Sequence, residues 1–201
     1  MPQSVLRDLR TFADLRNLLS HQRYHGDRQI AEPTSEVLER IREIRESLLR
    51  PPTVLTVLAG RSVVSVQAAD PVRSLLHLIR TLDYSQFPVY DGTAWVGLVT
   101  TNAIARWFAR QMDDDEVTTG DEAVSAVLTC SEEQDTARHV PRTTTAADAI
   151  ALLDQPLPCG SRPRALIVTT NGRPAESPLA VVVDEDLPRL LRALDASSAT
   201  G

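Results

Sequence analysis

Apolar residues recur with helical spacing along the first fifty positions. The clearest run is Ser35 to Leu49, where Val37, Ile41, Ile44 and Leu48 fall on one stripe. Glu36 with Arg40, and Glu46 with Arg50, stand four residues apart on its charged side, a spacing at which helical neighbours attract. Pro51 and Pro52 end the run, because proline disfavours the helical conformation in the residue before it. Residues 1–52 therefore read as an N-terminal helical segment.

Beyond Pro52 the pattern changes to short β-branched runs alternating with amphipathic helices. Val63 to Val66 predicts a strand, and Asp70 with Pro71 predicts the N-cap and first residue of a helix whose apolar face is Leu75, Leu76, Ile79 and Leu82. Phe87 to Tyr90 and Trp95 to Thr100 predict two strands about the Asp91-Gly92 turn. Ile104, Trp107 and Phe108 predict a closing helix. The order β-α-β-β-α then recurs. Arg138 to Val140 is a strand, Thr145 and Asp148 form a capping box, and Ile150, Leu152 and Leu153 continue that helix. Leu166 to Thr169 and Leu179 to Val183 are strands around Asn171-Gly172, and Leu187, Leu190, Leu191 and Leu194 complete a last helix. The expected fold class is α/β (α+β): two β-α-β-β-α units packed as a pseudo-twofold pair, over residues 53–115 and 116–197, preceded by N-terminal helices.

Composition narrows the function classes. With 42% hydrophobic and 24% charged residues among 201, the chain reads as globular. A formal charge of −6 disfavours nucleic acid as a partner, since phosphate binding needs a basic surplus. All 21 basic residues are Arg, which reads as a compositional bias. Cys130 and Cys159 form no CxxC pair, so neither zinc nor a disulfide framework is expected, and a reducing cytoplasm fits. The N-terminus lacks the apolar core of a leader, and nowhere does an apolar stretch of about 18 residues offer a membrane span. The acidic run Asp113 to Glu116 reads as a solvated linker. No GxSxG, glycine-rich phosphate loop or metal-spaced His pair appears, so no catalytic residue, metal or cofactor is assigned.

The runs SVVSVQAADPVRSLLHLI (62–79), SQFPVYDG (85–92) and VGLVTTNAIARW (96–107) resemble the cystathionine β-synthase (CBS) domain, over about Thr53 to Met112. Glu122 to Leu194 resembles the same domain less closely. The resemblance implies a tandem (Bateman) module, a homodimer of modules, and an adenosine-containing ligand such as AMP, ATP or a cyclic dinucleotide in the cleft between units. An adenine ring asks for apolar walls and backbone donors and acceptors, a ribose for a carboxylate or hydroxyl, and phosphates for Arg. The family pattern after the third strand is Gly, two apolar residues, Thr or Ser, two variable positions, then Asp. The first unit has Gly97, Leu98, Val99 and Thr100, with Ala103 in the acidic place; the second has Asp186, with Val183 in the hydroxyl place. The ligand-binding residues implied are Val64, Ser65, Val66, Ser85, Phe87, Pro88, Val89 and Thr100 in the first unit. Val140, Arg142, Arg164, Leu166 and Asp186 are those of the second. Thr100 and Asp186 serve equally well as helix caps, Phe87 and Pro88 as core or strand-edge residues, and Arg142 and Arg164 as surface charges. A ligand-free dimerisation scaffold is the alternative reading. Separately, DLRNLLSHQ (14–22) resembles the end of a HEPN-type helical domain, with Arg16, Asn17 and His21 in the places of a ribonuclease motif. The available length suits a helical remnant or dimerising cap better than an enzyme.

Overall fold

The computed structural model describes residues 3–21, 23–24, 28–29, 32–82, 84–113 and 120–199. Helix α1 (Gln3–His21) is followed by the two-residue strands β1 (Arg23–Tyr24) and β2 (Arg28–Gln29), which pair as a hairpin, and by α2 (Ser35–Leu49). Thr34 caps α2, its hydroxyl accepting the Val37 N–H at 3.4 Å. The Arg40 guanidinium ties α2 to α1 through Asp8 at 3.0 Å, and Val5 and Ile44 are buried. Of the predicted stripe on α2, Ile44 is buried while Ile41 and Leu48 stay exposed.

The first repeat comprises α3 (Val54–Val57), β3 (Val66–Gln67), α4 (Val72–Leu82), β4 (Gln86–Asp91), β5 (Ala94–Thr100) and α5 (Thr101–Asp113). The second comprises α6 (Val124–Leu128), β6 (Ala137–Pro141), α7 (Ala146–Asp154), β7 (Ala165–Thr169), β8 (Ala180–Val182), a 3-10 turn at Asp184–Asp186 and α8 (Leu187–Ala199). Each half builds a three-stranded sheet, β3-β4-β5 or β6-β7-β8, with its first pair parallel and its second antiparallel. The repeated β-α-β-β-α order is thus present in both halves. Each copy also opens with a short helix, too brief to leave a 3.6-residue period in the sequence. The Thr145–Asp148 capping box forms, with the Thr145 hydroxyl accepting Asp148 N–H at 3.1 Å. Asp70 behaves differently from its reading as an N-cap: its carboxylate accepts Gln67 N–H at 2.8 Å, and α4 begins at Val72.

The strand predicted at Val63 to Val66 pairs only at Val66 and Gln67, whereas β6 pairs over all five residues. Pro88 explains the difference. Ala68 N–H donates to Tyr90 O at 2.7 Å, so in this parallel register the donor on β4 that would reach Val64 O belongs to residue 88. Proline has none. Its counterpart in β7, Ile167, keeps its N–H and stands opposite His139 in the ladder. The chain from Arg61 to Ser65 therefore runs outside the sheet.

The two cores are interleaved. Val54 and Leu58, from the start of the first repeat, pack with Val140, Leu166, Val168 and Leu190 of the second. Val124, Val127 and Cys130, from the start of the second, pack with Leu75, Phe87, Val99 and Trp107 of the first. Backbone bonds fix both exchanges: Val54 N–H to Thr144 O at 3.0 Å and Ala146 N–H to Pro52 O at 2.8 Å, mirrored by Val72 N–H to Glu122 O and Val124 N–H to Asp70 O, each 2.8 Å. Leu98, Ala165 and Val183, with Trp95, Ala137 and Val181 beside them, fill the space between the sheets.

Leu58→Ala removes a nearly buried side chain from the second core and should cost about 2–5 kcal/mol of unfolding free energy in a urea titration. Hydrogen exchange should then quicken in β7, far along the sequence, more than in β4 of the same repeat.

A cleft between the two halves

The unpaired stretch after α3 forms one wall of a cavity of about 220 Å³. Leu58 to Val64 and Tyr84 to Gln86 come from the first half; Leu179 to Val181, Val183 and Glu185 face them from the second. The apolar walls are Leu55, Leu58, Val63, Val64, Leu179, Val181 and Val183. Polar groups cluster at one end. The Tyr84 hydroxyl donates to Ser62 O at 3.2 Å, and the Ser85 hydroxyl donates to Gln86 Oε1 at 2.7 Å. Gly60 takes φ +84°, a conformation that disfavours a side chain, and turns the chain so that Arg61 meets the opposite half.

Arg61 lies over the Tyr84 ring, 5.1 Å from its centroid, and its Nη1 donates to Asp186 Oδ1 across the cleft. The second carboxylate oxygen of Asp186 accepts Val183 N–H at 3.0 Å. With its side chain only 8% exposed, Asp186 is a buried charge whose two oxygens are both engaged, as burial of an ion requires. On the opposite seam Asp135, in the loop between α6 and β6, is buried, accepting Glu132 N–H at 3.0 Å and facing Arg106 of the first half at 3.5 Å. Both seams between the halves thus carry an ion pair, in opposite polarity.

The residues implied by the sequence resemblance divide among several places. Val64 and Ser85 line the cavity, and Asp186 adjoins it through Arg61 and Val183. Val66, Phe87 and Val89 are buried in the first core, and Val140 and Leu166 in the second. Pro88 is buried in β4, where its contribution is the missing donor. Ser65 is exposed on a neighbouring hollow with Gln67 and Tyr90. The Thr100 hydroxyl accepts Ala103 N–H at 3.1 Å and so caps α5. Arg142 is exposed in the turn after β6; Arg164 lies on a separate open groove with Asp154, Arg162 and Asp184. The acidic position of the second repeat therefore reaches the cavity wall of the first through Arg61.

Arg61, Tyr84 and Glu185 were not among the sequence candidates. Arg61 follows Gly60 in the loop after α3, where the sequence carries no periodic signal. Arg16 and Asn17 are exposed on α1, while the side chain of His21 and residues 114–116 of the acidic run lie outside the described residues. Among the described residues, no group of three or more His, Cys, Asp or Glu suits a metal ion, and no helix is long and apolar enough to cross a membrane. Cys130 is buried and Cys159 exposed, and they form no disulfide.

A second feature sits where the sheets meet. The His139 ring stands edge-on to Trp95 at 4.9 Å, and Trp95 edge-on to Tyr90 at 5.7 Å. His139 Nε2 and the Tyr90 hydroxyl are buried without a hydrogen-bond partner among the described residues. Burial lowers the His139 pKa and raises that of Tyr90, since each charged form loses solvation.

No protein-family model matches the sequence, and no curated protein matches it. Solved structures similar in fold include a putative signal-transduction protein with CBS domains from Burkholderia ambifaria MC40-6, at 18% identity and a TM-score of 0.49, covering 74% of this chain and 98% of that one. CBSX2 in complex with AMP is similar at 17% identity and a TM-score of 0.45, over 66% of this chain and 90% of that one. The CBS domain of a bacterial CNNM/CorC family Mg2+ transporter in complex with ATP is similar at 18% identity and a TM-score of 0.44, over 81% and 96%.

His139 gives the fold a pH dependence of known sign. Above the ordinary value of 6.5 the imidazole is neutral in both folded and unfolded chains. As pH falls below that value the unfolded chain takes up a proton that the folded one resists, so this contribution to stability declines until the folded pKa is passed. Urea midpoints at pH 7.5 and 5.5 should differ more for the native chain than for His139→Phe.

Proposed function

We propose that the chain is a regulatory ligand-binding module of the tandem CBS kind, whose cleft takes an adenine mononucleotide such as AMP or ATP. The observation that carries the reading is the cavity between the halves, opened where Pro88 withdraws its donor from Val64. A flat heteroaromatic ring needs apolar faces and in-plane hydrogen-bonding groups. Val63, Val64, Leu179 and Val181 supply the faces, and the backbone of Ser62 to Val64, outside the ladder, supplies the edge. Asp186 and Glu185 stand where sugar hydroxyls would find acceptors, and Arg61 where a phosphate would find a donor. At about 220 Å³ the cavity is below the roughly 300–1,000 Å³ of sites that enclose drug-sized ligands. That size favours a base and part of its sugar inside, with phosphates toward solvent, over a cyclic dinucleotide.

Binding across the seam changes the balance between orientations of the two halves by the ligand's difference in affinity for them. The N-terminal helices are placed to report that change, since α2 packs on α8 of the second half. The homodimer, the cytoplasmic location and the absence of catalysis belong to this proposal as expectations of the resemblance. No observation among the described residues favours the ribonuclease role for Arg16 and His21.

Thermal unfolding with AMP, ATP and a cyclic dinucleotide tests the proposal. A ligand present at about 100 times its dissociation constant should add about 2.7 kcal/mol to the stability of the native chain. Leu179→Trp, which fills the cavity from its exposed rim, should abolish the gain. Absence of a shift with every nucleotide leaves the ligand-free scaffold as the better account.

A further inference from the structure

The buried carboxylate beside the cavity is already occupied. Asp186 gives one oxygen to Val183 N–H and the other to Arg61, so a sugar reaches it only if the guanidinium leaves. Among the described residues lining the cavity, Arg61 is the single cation, and Glu185 adds a negative charge nearby. Arg61 is also free to swing. Its side chain is 31% exposed, and the ring of Tyr84 beneath it holds a cation by charge and quadrupole, with no fixed hydrogen-bond direction.

We infer that Arg61 is the phosphate-selecting residue of the cleft and a latch that the ligand releases. In the unliganded chain it pairs with Asp186 and ties the first half to the second. A nucleotide phosphate carries close to two negative charges near neutral pH and offers the planar guanidinium a bidentate face, so it draws Arg61 away from a carboxylate of single charge. Asp186 keeps its bond from Val183 N–H and takes ribose hydroxyl donors in place of the guanidinium, which leaves no buried charge unpartnered. On the opposite seam the loop contributes the acid Asp135, which pairs with Arg106 of α5. The inference rests on the nucleotide reading of the cleft and goes beyond it by assigning the choice between phosphorylated and unphosphorylated ligands to one side chain.

Calorimetric titration of the full chain with AMP and with adenosine tests it. The native protein should bind AMP about ten- to a hundredfold more tightly than adenosine, the range expected for a charged hydrogen-bonded contact. In Arg61→Met, which keeps an apolar stem over Tyr84, the two affinities should converge to within about threefold, adenosine being bound no worse than before. Equal affinities in the native chain overturn the role of Arg61 and leave the nucleotide cleft standing; that comparison needs no variant, so it holds even if Arg61→Met fails to fold. A preference for AMP that survives in a folded Arg61→Met also overturns it. If the native chain binds neither ligand, the cleft reading itself fails and the latch with it.

Discussion

The exchange of opening helices between the two repeats is the constraint on which the rest of the molecule depends. Neither repeat encloses its own core: Leu58 is needed beneath β7, and Val127 beneath β4. Apolar burial is the main favourable term in folding, so the interleaving couples the folding of one sheet to that of the other, and a cleft bounded by both halves forms along with the cores. The same side chains that stabilise the fold set the geometry of the candidate site.

Within that frame, departures from symmetry create the site. Ile167 in the second half keeps the ladder to β6 closed, while Pro88 in the first leaves Val64 unpaired. One imino acid turns a stretch of strand into a wall with free backbone groups. The cost of the lost hydrogen bonds is moderated because the released chain faces a cavity open to water rather than packed hydrocarbon.

Much of this was legible in the amino-acid order. Alternation of short β-branched runs with amphipathic stretches located ten of the regular elements of the repeats within a few residues, and the Thr145–Asp148 spacing announced its capping box. Four things were hidden. The short opening helices leave too few turns to register as a period, and their destination in the opposite core is a long-range fact that no local pattern encodes. The shortening of β3 required knowing which face of β4 turned toward it, since Pro88 disrupts pairing only where its nitrogen points at a neighbour. The site residues divided because Val64 lies on the unpaired stretch that lines the cavity, while Val66, Phe87 and Val89 belong to paired strands whose side chains fill the core. Arg61 was passed over because an isolated arginine in a loop carries no spacing signal, and only its pairing with Asp186 distinguishes it from the other twenty.

The inverted ion pairs have a consequence for the molecule as a duplicated object. A chain built from two copies of one motif begins with equivalent edges, and a small anion approaching it would find them alike. With a guanidinium on one loop and a carboxylate on the other, that equivalence is gone: the order of charges across one seam is the reverse of that across the other. The protein thereby acquires a front and a back.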